Sequence, residues 1–279
     1  MRVIDKYINV MPRPLVRAIR NIWLSLLDIQ DKIRGEKDAL TPPRSLHYVG
    51  GGDFKAIGQG FVAHFKKIGG LLPDETVLDI GCGTGRMAIP LLQYINSTGG
   101  YVGFDISQKA INWCRKNITL KNPGFRFLYA DICNKEYNPR GRISADEYVF
   151  PCDDESIDFV FATSVFTHMR EQEVRHYLSE IWRVIKPSGR AWLNFFIVDE
   201  TTDELTTSGR SSLNFNVNLG DCYTIDAHTP ERAIAYSEPQ ILNLLKETQL
   251  VLSSPVFYGS WSGRPGMLES QDVILVKKE

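Results

Sequence analysis

The chain has 279 residues, of which 43% are hydrophobic and 23% charged, and 32 basic side chains nearly balance 33 acidic ones for a net charge of −1. Such a composition can bury one large core and does not suit a disordered chain. The near-neutral total argues against nucleic acid as the main partner, which ordinarily calls for a basic face.

Cys82, Cys114, Cys133, Cys152 and Cys222 are scattered, odd in number and without a CxxC pair, and the five histidines form no HxxxH or HExxH pair. These features predict reduced thiols, no metal site and a cytoplasmic protein. No apolar run reaches bilayer-spanning length, and the charges and prolines of the opening MRVIDKYINVMPRPLVR do not fit a signal peptide.

Residues 1–46 read as an N-terminal helical extension. Leu15, Ile19, Ile22, Trp23, Leu26, Leu27 and Ile29 recur at helical spacing, Gly35 and Pro42-Pro43 end the stretch, and Arg2, Lys6, Arg13, Arg17 and Arg20 make it basic. Two readings stand: a helix packed on the main domain or closing over it as a lid, or an amphipathic helix on a membrane surface. The three glycines of His47-Tyr48-Val49-Gly50-Gly51-Gly52-Asp53 suggest close backbone approach or a hinge. Asp53 is a cap for a second helix, with Phe54, Ile57, Phe61, Phe65 and Ile68 on one face and Gly69-Gly70 at its end.

From Thr76 onward short apolar strands alternate with helices. The strands are predicted at Val77–Ile80, Tyr101–Phe104, Phe125–Tyr129, Ile157–Ala162 and Ala191–Ile197. Helices are predicted after Gly85, from Ser107 to about Asn117, and from about Glu171 to Ile185, where Pro187-Ser188-Gly189 stops the last of them. This rhythm implies right-handed crossovers and a parallel sheet in an α/β fold. Residues 198–237 interrupt it with a polar insertion whose strand-like piece is Leu213–Leu219, and a helix at about Glu238–Thr248 and two strands, Leu250–Tyr258 and Asp272–Val276, complete the 47–279 domain.

The strongest local signal is Val77-Leu78-Asp79-Ile80-Gly81-Cys82-Gly83-Thr84-Gly85-Arg86, an apolar strand running through a glycine-rich turn into a helix. Glycines let backbone N–H groups approach a ligand, and a helix start offers unpaired donors. No lysine follows, as a Walker loop requires, and the third glycine comes one position too early for the dinucleotide GxGxxG. Asp79 also sits poorly beside a pyrophosphate and suits a cationic ligand such as S-adenosylmethionine, with its ammonium and sulfonium groups.

At these residues the chain resembles the class I S-adenosylmethionine-dependent methyltransferases, over roughly residues 48–197. The resemblance implies a doubly wound, mainly parallel seven-stranded sheet with an antiparallel C-terminal strand. It places Asp79, Gly81, Cys82, Gly83 and Arg86 at the cofactor's methionine and ribose portions. It makes Asp105, at the end of Tyr101-Val102-Gly103-Phe104-Asp105, the ribose-binding acid with Ile106 on the adenine, and it assigns Asp131 and Ile132 to the adenine as well. Ser164 and Val165, at the end of the fourth strand, would face the methionine end. Two departures stand out: Pro90 falls within the first helix, and the loop from Cys133 to Pro151 is longer than cofactor binding needs, so it is read as part of the acceptor pocket.

Methyl transfer needs an acceptor held in line with the methyl group, and a base only where the acceptor must lose a proton. His168, just past the fourth strand, is the base candidate, with His228 and Tyr236 behind it. The predicted function is methylation of a small organic acceptor. A glycan or lipid-linked acceptor and a non-catalytic cofactor-binding subunit are the alternatives.

Overall fold

The alternating pattern folds as a doubly wound sheet. The computed structural model describes residues 13–34, 38, 40–46, 52–135, 137–265 and 268–278. The extension forms a 21-residue helix, α1 (Arg13–Ile33), and Asp53 caps α2 (Phe54–Lys67) by accepting from the backbone N–H groups of Lys55 and Ala56. His47 to Gly51, read above as a hinge or lid, lie outside the described residues.

The sheet order is β3-β2-β1-β4-β5-β11-β10, from β1 (Thr76–Ile80), β2 (Gly100–Asp105), β3 (Phe125–Tyr129), β4 (Ile157–Ala162), β5 (Ile185–Phe195), β10 (Leu250–Leu252) and β11 (Asp272–Lys278). β11 runs antiparallel to both neighbours while β1 to β5 are parallel. The expected seven-stranded sheet with an antiparallel C-terminal strand is therefore present.

Alternation along the strands divides the core between two faces. Leu78, Val102 and Val160 pack against α5 (Glu171–Val184) and α7 (Glu238–Glu247) through Leu178, Ile181 and Leu244. On the other face, Val77, Tyr101, Phe159, Phe161 and Trp192 pack against α2, α3 (Ala88–Leu91) and α4 (Gln108–Cys114). Phe65 of α2 is fully buried there, its ring 4.6 Å from that of Phe161 and 5.3 Å from that of Trp192. Burying such a ring stabilises the fold by about 1.5–3 kcal/mol.

Local chemistry refines the predicted boundaries. α3 has only four residues, so Pro90 lies in its first turn, where its missing N–H costs no hydrogen bond within the helix. α5 stops at Val184, and Ile185 already belongs to β5, whose register against β4 shifts between Ile157 and Phe159.

The insertion is more ordered than its composition suggests. It contains α6 (Glu200–Thr207), and with its flanks it forms a small sheet ordered β6-β9-β8-β7 from β6 (Ile197–Val198), β7 (Val217–Asn218), β8 (Tyr223–Thr224) and β9 (Ile234–Ser237). A capping box accounts for the unpredicted helix: the Asp199 side chain accepts from the Thr202 N–H, and the Thr202 hydroxyl accepts from the Asp199 N–H. The threonine-rich run masked it, because the helix carries little apolar periodicity.

The expected packing of α1 by its apolar stripe is not what the structure has. Ile22, Trp23, Leu26, Ile29 and Ile33 are all more than half exposed, and the helix is held through its acidic side by Arg44. No described helix is long and apolar enough to cross a membrane.

Candidate active site

In an open α/β sheet, ligands bind at the carboxyl ends of the strands where the strand order reverses. Here that point lies between β1 and β4. An open pocket enclosing about 1310 Å³, its mouth included, occupies it.

The turn after β1 forms the pocket's floor. Gly81, Gly83 and Gly85 have φ of 74°, 51° and 75°, in the left-handed region. At Gly81 an added Cβ would come within 2.7 Å of Val165 Cγ2, so the turns after β1 and β4 touch only because that residue is glycine. A Cβ added at Gly83 would meet nothing within 4 Å, so it would project into space where a ligand can lie against the backbone. Cys82 lines the pocket, and burial pushes its thiol well above the usual range, keeping it neutral.

Asp105 closes one side. Its Oδ2 accepts from the Gly83 N–H at 2.8 Å and its Oδ1 from the Ser107 N–H at 2.7 Å, which ties the end of β2 to the turn after β1. Ile106 and Ile132 add apolar surface on the same side. Arg86 also lines the pocket. Gly58 of α2 presses on the Arg86 backbone so closely that an added Cβ would lie 2.3 Å from its carbonyl oxygen. Ser164 lines the opposite side in a left-handed conformation (φ 57°) that a non-glycine residue rarely adopts, and its hydroxyl donates to Gln271 Oε1 at 3.0 Å. Such strain costs about 1–3 kcal/mol and collects at functional sites.

Two of the acids read from the sequence sit elsewhere. Asp79 shares the face of Val77, two residues before it, and so points into the packed layer beneath the turn, fully buried and outside the pocket lining. Tyr101 donates its hydroxyl to Asp79 Oδ2 at 2.5 Å, and Oδ1 is buried with no hydrogen-bond partner among the described residues. Desolvation raises the Asp79 carboxyl to about 8, which disfavours its charged form. Asp131 lies beside the pocket, but its carboxylate faces Arg142, whose Nε donates to it at 2.5 Å, and the Tyr129 hydroxyl donates at 3.0 Å. The hydrogen bond to Arg142 is the main cause that holds the Asp131 carboxyl below its ordinary range. Sequence could not reveal this pairing, which depends on how the loop after Cys133 folds back.

The far wall comes from distant segments. His168 lines the pocket, with its Nδ1 2.7 Å from the Glu231 carbonyl oxygen. A carbonyl only accepts, so Nδ1 carries the proton and Nε2 is the basic nitrogen of the neutral ring. The Tyr137 ring stands edge-on to His168, 5.9 Å between centroids.

Glu173 and Tyr177 of α5 also line the pocket and escaped the sequence reading. Glu173 accepts from the Arg170 N–H at 2.7 Å, and burial raises its carboxyl above the ordinary range. Asn134 and Tyr137 show that the long loop does reach the pocket. The two weaker base candidates do not: Tyr236 is buried and donates to the Met169 carbonyl at 2.6 Å, while His228 is exposed in the insertion.

Comparison with known proteins agrees with this geometry. A family profile described as a methyltransferase domain matches residues 77–189. The ubiquinone/menaquinone biosynthesis C-methyltransferase UbiE of Wigglesworthia glossinidia brevipalpis is 33% identical over 119 residues, 42% of this chain and 41% of its own length. The tRNA N(3)-cytidine methyltransferase METTL2 of Gallus gallus is 29% identical over 115 residues, 40% of this chain and 28% of its own length. The chain thus spans less than half the length of either relative. Among solved structures, the PH0226 protein from Pyrococcus horikoshii OT3 superimposes with a TM-score of 0.57 at 16% identity, covering 84% of this chain and 95% of that one. Its likeness concerns the fold alone. The profile match, from β1 to the start of β5, falls on a sheet of this order with its glycine turn at the switch point, so residues 77–189 are similar to a methyltransferase domain.

Proposed function

We propose that the chain binds S-adenosylmethionine in this pocket and transfers its methyl group to a small organic acceptor. The observation that carries the reading is the continuity of one cavity. The same space is lined by the turn 81–84, Asp105, Ile106 and Ile132 on one side and by His168, Glu173 and Tyr177 on the other. The first set fits the cofactor: the Gly83 backbone opens onto unfilled space, and a carboxylate, which has about four acceptor positions, is fixed at the end of β2.

In this reading Asp105 accepts the ribose hydroxyls, Ile106 and Ile132 sandwich the adenine, and Gly81, Cys82, Gly83 and Arg86 follow the ribose and methionine portions. Ser164 and Val165 border the methionine end. When bound, the cofactor supplies a methyl group already activated by its sulfonium. The chain then has to orient the acceptor, exclude water and take up any proton that leaves. His168 Nε2 is the group proposed to take it, with the Glu231 carbonyl fixing the tautomer. Tyr137, Tyr177 and Met169 would present an apolar wall to the acceptor, and Glu173 a polar point within it.

A small acceptor is supported by a net charge of −1, which offers little to a polyanion. Calorimetric titration with S-adenosylhomocysteine and NAD, followed by labelled-methyl transfer to a panel of small phenols, amines and quinols and to transfer RNA, tests the proposal. Binding of S-adenosylhomocysteine but not NAD, with label on a small acceptor, is the expected result. Label on transfer RNA alone would refute the acceptor class, and binding of NAD alone would refute the cofactor.

A further inference from the structure

A surface helix normally turns its apolar side inward. α1 does the reverse. Ile22, Leu26, Ile29 and Ile33 follow one another at steps of four, three and four residues, so at about 100° per residue they form one stripe. They are 63%, 59%, 55% and 81% exposed, and Trp23 beside them is 59% exposed. The protein holds the opposite side: the Arg44 N–H donates to Asp28 Oδ2 at 3.0 Å, and the Arg44 guanidinium pairs with Asp31. This attachment leaves the apolar stripe facing away from the body of the protein.

Charge identifies what the stripe fits. The first twenty residues carry five cations, Arg2, Lys6, Arg13, Arg17 and Arg20, against the single anion Asp5, while the remainder of the chain is net acidic. A basic run continuing into a helix with a wide apolar stripe flanked by tryptophan matches an anionic lipid surface. Pairing two copies through the stripe in parallel would instead bring two such cationic runs together. A net acidic body would be repelled by the same surface that attracts the helix, so the molecule would bind in one orientation.

We propose that the exposed apolar face of α1 docks the protein on an anionic lipid surface. The inference rests on α1 and the charge of the first twenty residues, and does not depend on the methyl-transfer reading. It does bear on the acceptor: Arg44, which grips α1, is two residues from Leu46, which lines the pocket, so docking brings the pocket's mouth near the lipid.

Co-sedimentation of the full chain with phosphatidylserine–phosphatidylcholine vesicles tests it, with pure phosphatidylcholine as control. The wild type should pellet with the anionic vesicles and be released as salt is raised. Joint substitution Trp23→Ser, Leu26→Gln and Ile29→Gln changes exposed positions only, and it should cut the bound fraction's partition coefficient about tenfold or more while S-adenosylhomocysteine binding and circular dichroism stay unchanged. Arg17→Glu with Arg20→Glu should weaken partition by about tenfold or more. Failure of the wild type to pellet, equal pelleting with uncharged vesicles, or full retention by the triple variant would each overturn the proposal. So would a wild-type dimer in lipid-free buffer that the triple variant converts to a monomer, because the stripe would then belong to a second copy.

Discussion

The two walls of the pocket differ in how they are made. The wall at β1 and β2 is largely backbone: the left-handed Gly81 and Gly83, the Gly83 N–H and a carboxylate that ties the turn to β2 all come from residues 81–107. The facing wall is made of side chains, Tyr137, His168, Glu173 and Tyr177, and the Glu231 carbonyl that orients His168 comes from 63 residues further along. A backbone wall recognises a constant ligand and tolerates little change, because a Cβ in the wrong place alters φ and contact together. A side-chain wall can be refitted one residue at a time, as acceptor specificity requires.

The largest effect should separate the two walls outright. If His168 Nε2 takes the acceptor's proton, His168→Ala lowers kcat by about 10²–10⁴-fold and leaves S-adenosylhomocysteine affinity unaltered; unchanged turnover would remove His168 from the chemistry. The converse should hold on the backbone wall. Gly81→Ala forces a Cβ to within 2.7 Å of Val165 Cγ2 at a left-handed φ, and should destabilise the fold by about 1–3 kcal/mol in denaturant titrations while weakening cofactor binding. Asp105→Ala removes two charge-assisted hydrogen bonds, and calorimetry should register a roughly tenfold to hundredfold loss of cofactor affinity. If either variant lost only acceptor turnover and kept its affinity for S-adenosylhomocysteine, the division between the walls would be wrong.

Smaller effects sharpen the comparison beneath and beside the backbone wall. The Asp79 carboxyl lies at about 8 in the folded protein against an ordinary value of 3.8. The folded state thus keeps a proton that the unfolded state loses, so this group's stabilisation is complete at pH below about 4 and is lost as pH rises through about 8. Asp79→Asn should flatten the decline of melting temperature with pH across that window, and an unchanged slope would mean the carboxyl is ionised in the folded protein. Arg142→Ala, which removes an exposed arginine from the half-buried Asp131 carboxylate, should hardly move the melting temperature and should change cofactor affinity by less than about fivefold. A larger loss would show that the pair itself supports the adenine.

How legible each part was in the sequence follows from the range of its interactions. Residues Phe125–Tyr129 and Ile157–Ala162 occupy the strands predicted for them because each is a short apolar run bounded by turn signals. Asp53 caps the helix it was expected to cap, and the helix predicted to begin at Ser107 is capped by that residue, since capping is decided within three residues. The insertion was misread because α6 depends on a capping box rather than on apolar periodicity, and its strands are two to four residues long. Asp79 was placed at the ligand on motif position, although the two-residue period of its strand turns it into the core. Glu173 went unnoticed because an acid in the first turn of a helix carries no local mark that it faces a pocket.

By itself the sequence determined the α/β rhythm, the glycine turn, the acid at the end of β2 and the apolar stripe of α1, because each is written in neighbouring residues through backbone freedom, capping and periodicity. Only the tertiary structure decided which carboxylates reach the pocket, which tautomer of His168 is held and which way α1 faces. Those outcomes depend on partners such as Tyr101, Arg142, the Glu231 carbonyl and Arg44, whose distance in the chain carries no trace of their closeness in space.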